Sequence, residues 1–443
     1  MNTIISKYLL YYPATLFQGE RVLKYLDDYK KFQYFSREAI DEYQLFHFKK
    51  LLKHAVNNSP YYAKTFKDMN VDLEDINSLE QIKLLPMLTK ELLVNHRSEI
   101  ETVKKNLFIA EKTTGGSTGQ AVTLLKNPDA LARERAVTAR SYEWAGVGIG
   151  DSQARFWGMP LNQSVRIKSK VIDFIANRRR YSAFAVDFST LQSYLDDIIK
   201  FKPKYIYGYA SSIRDFSLFL NDIGGKLPSS VKSVITTAEV LTQEIREVIE
   251  SSLRVRVFNE YGCGEVGSVA HECDAGSLHV MEDNLIVEIN TDHYDDSGEI
   301  IVTDLFNYAT PLIRYQLGDY ASLKKDECSC GRALTTLDNV HGRAYDCIIS
   351  PDGKVFHPEF IMYIFEDVKE KFGGIKQFQV IQKQSDLLLV KLVLSKVFTA
   401  ETEKLITAQV LGKLHHSMKL TYEFVDCISR ESSGKIRLVK SEL

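Results

Sequence analysis

No basic excess marks this chain: 56 lysines and arginines stand against 58 aspartates and glutamates in 443 residues. A protein that grips nucleic acid through its phosphates usually carries a clear surplus of cations, so no nucleic-acid partner is expected. There is also no apolar run of the roughly 18 residues that a membrane span needs. The first seventeen residues include Lys7 and Pro13 and lack a small-residue cleavage site, which argues against a signal peptide and for a cytoplasmic protein. Six cysteines are too few for a disulfide scaffold at this length; clustered ones in a reducing compartment read as metal ligands or as core residues. The phosphate loop ending in Gly-Lys-Ser/Thr is missing too.

What stands in its place is Thr113-Thr114-Gly115-Gly116-Ser117-Thr118-Gly119, followed by Gln120 and flanked by the apolar runs Leu107–Ala110 and Val122–Leu125. Such a loop lets backbone approach an anion closely and surrounds phosphate oxygens with N–H and hydroxyl groups. Taken alone, it reads equally well as a hairpin turn of small residues.

The length implies two or more domains. Apolar residues at three- and four-residue spacing predict a helix over 35–57, stopped by Asn57-Asn58-Ser59-Pro60. Thr89 is placed to cap a further helix. The segment 128–145 is predicted helical, with Arg133, Arg135 and Arg140 on its polar side. Strands are expected at 154–157, 205–209, 231–240 and 255–258, with helices over 191–200 and 242–252. This alternation predicts an α/β domain with largely parallel pairing. Ligand groups then collect at the carboxyl ends of the strands, where the loops at Tyr207, Thr236 and Tyr261 fall. The glycine run Gly146–Gly150 is no dinucleotide fingerprint, since no strand precedes it and no helix entry follows. Arg178-Arg179-Arg180 reads by default as a solvated face, and otherwise as a partner for a polar acid such as a uronate. Trp144, Trp157, Tyr207 and Tyr209 read as walls of an aryl pocket or as core.

From about 278 to 335 the texture changes to short strands and turns, a β subdomain. Past His341 a further hundred residues are α+β in character. The expected domains are therefore 1–341 and 342–443.

With these loops in order, the chain resembles the adenylate-forming ligases, and within them the phenylacetate–coenzyme A ligase group on its capsular-polysaccharide branch. The residues that carry the resemblance are Ser59-Pro60-Tyr61-Tyr62, Leu85-Pro86-Met87-Leu88-Thr89-Lys90, Thr114–Gly119, Tyr261-Gly262-Cys263-Gly264-Glu265, Tyr315-Gln316-Leu317-Gly318-Asp319, Gly342-Arg343 and Gly434-Lys435-Ile436-Arg437. The resemblance implies a large adenylation domain, a small mobile C-terminal domain, and activation of a carboxylic acid by ATP and Mg2+ to an acyl-adenylate. The acyl group then passes to coenzyme A or to an amine, as on an amino sugar or amino acid. Thr114, Gly115, Gly116, Ser117, Thr118 and Gly119 would cradle phosphates. Glu265 would be the magnesium carboxylate, Tyr261 the adenine neighbour and Asp319 the ribose acceptor, with Glu239 and Gly262 also lining the nucleotide. Arg343 would lie beside the sugar, and Lys435 would reach the α-phosphate. Two positions depart from the pattern: Gln120 stands where many relatives have Lys, and Tyr345 where the hinge Asp is usual, with Asp346 behind it. These departures favour the alternative, a non-catalytic nucleotide-binding scaffold or regulator. Retention of Glu265, Asp319 and Lys435 counts against it. Oligomeric state is left open.

Independently of ATP, Cys273, His279, Cys328 and Cys330 give three thiols and an imidazole flanking the β subdomain. Cys3His is a good tetrahedral zinc set, so a structural zinc is expected. Cys263, Cys347 and Cys427 read as structural.

Overall fold

A computed structural model of the protein describes residues 1–70, 72–114, 122–158, 163–183, 187–239, 241–290, 297–324, 326–341, 348–356, 359–395, 397–428 and 439–443. Residues 115–121, which hold most of the glycine loop with Gln120, lie outside them, as do Arg343, Tyr345, Cys347 and Lys435.

Strands β1 (Ala110–Thr114) and β2 (Val122–Lys126) form the hairpin that carries the glycine loop. Strand β1 begins at Ala110, and Leu107 and Phe108 before it are exposed. The main sheet takes β3 (Gln153–Trp157), β4 (Arg178–Ser182), β5 (Tyr205–Tyr209), β6 (Ser233–Thr237), β7 (Arg256–Cys263) and β8 (Gly267–Glu272). It continues through β9 (Leu278–Val280), β10 (Leu285–Asn290), β11 (Ser297–Asp304), β12 (Tyr315–Leu323) and β13 (Thr336–His341). The spatial order is β10-β11-β12-β13-β9-β8-β7-β6-β5-β3-β4. From β4 to β7 pairing is parallel, and from β7 onward it is antiparallel. The β-rich segment thus continues the α/β sheet instead of forming a detached layer, because β7 runs past its parallel partners and folds back on β8.

Register divides the parallel strands into two faces. Ala154, Phe156, Ile206 and Val234 share a core with helices Phe188–Phe201, Ala210–Asp222 and Gln243–Leu253. The opposite face presents Arg155, Trp157, Tyr205, Tyr207, Ile235 and Phe258, and it meets Ala145 and Val147 at the end of helix Pro128–Trp144. Gly208 brings β3 and β5 together: a Cβ there would sit 2.2 Å from the Phe156 carbonyl oxygen.

In helix Pro128–Trp144, Arg140 is not on a polar face. It is fully buried and donates to Asp283 Oδ2 at 2.7 Å, with its guanidinium 4.6 Å from the Trp144 ring centroid. A buried guanidinium needs a carboxylate, and that carboxylate comes from 143 residues away. Trp144 is a core residue, donating to Gln33. Tyr209 is buried too, stacked on Trp157.

The remaining strands are β14 (Ile348–Ile349), β15 (Val355–Phe356), β16 (Ile375–Gln384), β17 (Leu387–Leu394), β18 (Lys419–Phe424) and β19 (Val439–Ser441). The last four make a sheet ordered β18-β17-β16-β19. With helices Glu359–Phe372 and Ala400–Lys413 they enclose a separate hydrophobic core, in which Phe365 stacks on Phe378. Among the described residues no helix is long and apolar enough to cross a membrane.

Candidate active site

The parallel strands end at one cavity of about 1700 Å³. On its wall β6 turns through Ala238, a non-glycine residue held at φ +66°, which costs on the order of 1 kcal/mol. Next along the sheet, β7 carries Tyr261 and Gly262 and leads to Glu265. The β1–β2 hairpin lies against this turn: Thr114 Oγ1 donates to Glu265 Oε1 at 3.3 Å. Gly264 has no room for a side chain, since a Cβ would meet Thr114 Cγ2 at 2.5 Å. From β12, the Tyr315 hydroxyl reaches Glu265 at 3.5 Å, and Asp319 accepts from the Tyr261 hydroxyl at 2.9 Å. Thr114, Tyr261, Gly262, Glu265 and Asp319, from three separate parts of the chain, all border the same cavity.

Glu239 also borders it, but its carboxylate is engaged. It accepts from the Ser211 amide at 2.6 Å and from Ser211 Oγ at 2.8 Å, at the start of helix Ala210–Asp222. It therefore satisfies one N–H group that a helix start leaves unpaired and ties that helix to the end of β6.

Three features of the site escape sequence reading. Glu260 is buried beside Tyr261 and accepts from the Tyr142 hydroxyl at 3.0 Å and from Ser268. Burial raises its carboxyl above the ordinary value despite those hydrogen bonds. Beneath the β1–β2 hairpin, Lys126 is enclosed by Glu134 at 2.8 Å and Asp304 at 3.5 Å, and Lys112 reaches the same Glu134 at 2.7 Å. On the inner face of the sheet, Arg155 lies against Trp157 and Tyr207. Strand alternation could have paired Arg155 with Trp157, but no local signal identifies the other partners.

The arginine run is absorbed internally. Arg178 and Arg180 both bond to Asp173, and Arg179 bonds to Asp197.

The cysteine motifs do converge. Ligand atoms of Cys273, His279, Cys328 and Cys330 lie within 4.8 Å of one another. Cys273 and Cys328 sulfurs are 3.6 Å apart, and Cys330 Sγ is 3.2 Å from His279 Nε2. His279 Nδ1 is 3.0 Å from the Leu334 carbonyl, which fixes Nδ1 as the protonated nitrogen and leaves the Nε2 lone pair toward the thiols. Burial pushes this imidazole down to about 4, so it is neutral, as a ligand must be.

A family model described as the CapK C-terminal domain matches residues 348–442. The chain is 26% identical to protein CapK of Staphylococcus aureus over 441 residues, covering 95% of this chain and 93% of that protein. It is 24% identical over 407 residues to phenylacetate-coenzyme A ligase of Escherichia coli K12, covering 86% and 89%. Among solved structures, a 2-hydroxyisobutyryl-CoA ligase in complex with 2-HIB-AMP and CoA in the thioesterification state superposes with TM-score 0.61 at 17% identity, covering 92% and 91%. That likeness speaks to the fold. The chain thus shares the fold of an acyl-CoA ligase and sequence kinship with phenylacetate-coenzyme A ligases. Its sequence is similar over most of its length both to protein CapK and to phenylacetate-coenzyme A ligases.

Proposed function

We propose that this chain activates a carboxylic acid with ATP and transfers the resulting acyl group to coenzyme A or to an amine such as that of an amino sugar. The observation that carries this reading is the meeting of Thr114, Tyr261, Glu265 and Asp319 along the wall of one cavity. In the first half-reaction a carboxylate oxygen attacks the α-phosphorus and the bond to pyrophosphate breaks. In the second, the acceptor attacks the acyl carbon and AMP leaves.

The residues fit those roles chemically. Asp319 accepts from the Tyr261 hydroxyl, so the ring offered to adenine and the acid offered to ribose are positioned together. Residues 115–119, with Thr114, would surround the phosphates. Arg343 would lie beside the sugar, and Lys435 would face the α-phosphate from the C-terminal unit, 342–443, acting as a lid. Glu265 accepts two long hydrogen bonds and keeps lone pairs for magnesium, which when bound would neutralise phosphate charge. Cys273, His279, Cys328 and Cys330 suit a structural zinc: three thiols and one imidazole converge there, the donor set of a tetrahedral site. Kinship with protein CapK supports a place in capsular or surface polysaccharide biosynthesis.

The test is acid-dependent exchange of labelled pyrophosphate into ATP across aryl, fatty, amino and uronic acids, with Lys435→Ala as control. Exchange with one class, lost in the variant, is the expected result. Intact ATP binding by calorimetry with no exchange for any acid would favour a non-catalytic nucleotide-binding protein instead.

A further inference from the structure

One wall of the cavity gathers positive charge. Arg155, on β3, and Arg178, on the neighbouring β4, both line it. Arg178 and Arg180 share one carboxylate, Asp173. Arg155 has none: among the described residues its guanidinium makes no ion pair or hydrogen bond, and its buried Nε is without a partner. It lies 4.6 Å from the Trp157 ring centroid and 4.8 Å from that of Tyr207. Among the described residues the one carboxylate in direct contact with these three guanidinium groups is Asp173. Their mutual repulsion is felt at Arg178, which burial first and Arg155 second push below the ordinary arginine value.

Aromatic faces stabilise a guanidinium, but they do not satisfy its five N–H donors. Glu260 is the acid on the same face of the sheet, yet it is held by Tyr142 and Ser268. Arg155 lowers its carboxyl through space but makes no direct contact with it. Arg155 sits on β3, three strands from β7, which leads to Glu265 at the reacting end.

We propose that this wall of the cavity selects acids with a second anionic group, a carboxylate remote from the one being activated, with Arg155 as its main contact. The guanidinium fork matches a carboxylate in two parallel hydrogen bonds, and Trp157 and Tyr207 flank the apolar body between the two charged ends. This inference rests on the adenylation reading for its kinetic test but not for its binding test.

The experiment compares aryl and aliphatic dicarboxylic acids with their half-amides, using the full chain. In pyrophosphate exchange the diacid is expected to exceed its half-amide at least tenfold in kcat/KM. Arg155→Met should collapse that ratio through the KM for the diacid, and Arg155→Lys should retain part of it. Calorimetric titration of both acids into the protein reads the same preference without turnover. Equal binding of diacid and half-amide, or a preference that survives Arg155→Met, overturns the inference. Arg155-dependent binding without any exchange would leave it standing and sink the adenylation reading alone.

Discussion

A single carboxylate, Glu134, sets how the β1–β2 hairpin is held. Lys126, with 1% of its side chain exposed, has no water to solvate its charge and relies on Glu134 and Asp304. Gly267 makes room for the pair, since a Cβ there would come within 2.4 Å of Glu134 Cγ. Burial by itself would raise the Glu134 carboxyl, but Lys126 and Lys112 outweigh it and hold it down at about 2, from an ordinary 4.5. A folded-state value below the unfolded one means that the stabilisation is present above pH 4.5 and lost as pH falls toward 2. The shift corresponds to on the order of 3 kcal/mol. Glu134→Gln should therefore lower the urea stability of the large unit by about 3 kcal/mol at pH 7, the usual scale for leaving a buried partner unpaired. The gap to the native protein should narrow between pH 4.5 and 2. Parallel stability curves for the two proteins across that range would show that the network carries no such linkage.

At the scale of elements, the Cys3His cluster joins pieces that are distant in sequence: Cys273 follows β8, His279 sits in β9, and Cys328 and Cys330 lie on the segment before β13. A zinc ion there would clip these three together. The protein as purified is expected to hold one zinc per chain by elemental analysis. Cys330→Ser should lose most of it and several degrees of thermal stability, and a zinc content unchanged by the substitution would exclude the site. This cluster was readable because each half is local, Cys-x-Cys and Cys-x5-His. The helix over 35–57 was readable for the same reason, and it appears as Arg37–Asn58 capped by Ser36. Helix Pro128–Trp144 shows the limit: its period was evident, but the role of Arg140 depended on Asp283, and that of Glu134 on Lys126 and Asp304. Contacts across a sheet depend on strand order, which no local pattern specifies.

Across the whole molecule, the alternation of strands and helices revealed the parallel strands except β4, which reads as a charge run, and the change of texture after about 278 revealed the antiparallel strands beyond β8. That both sets form one eleven-stranded sheet could not be read, because it turns on where β7 stops pairing in parallel. The C-terminal residues enclose a core of their own, and the proposed lid role requires that unit to bring Lys435 to the cavity in one arrangement and withdraw it in another. If Lys435 serves only the attack on ATP, its charge matters while pyrophosphate leaves and not while the acyl group moves to the acceptor. Lys435→Ala should then reduce pyrophosphate exchange by at least a hundredfold, the scale of losing one charged contact to a transition state. Transfer from chemically prepared acyl-adenylate to coenzyme A or the amine should stay within a few-fold of the native rate. Both half-reactions falling together would mean that Lys435 supports the closed arrangement of the two units itself, and the lid would then have one working position where two are proposed.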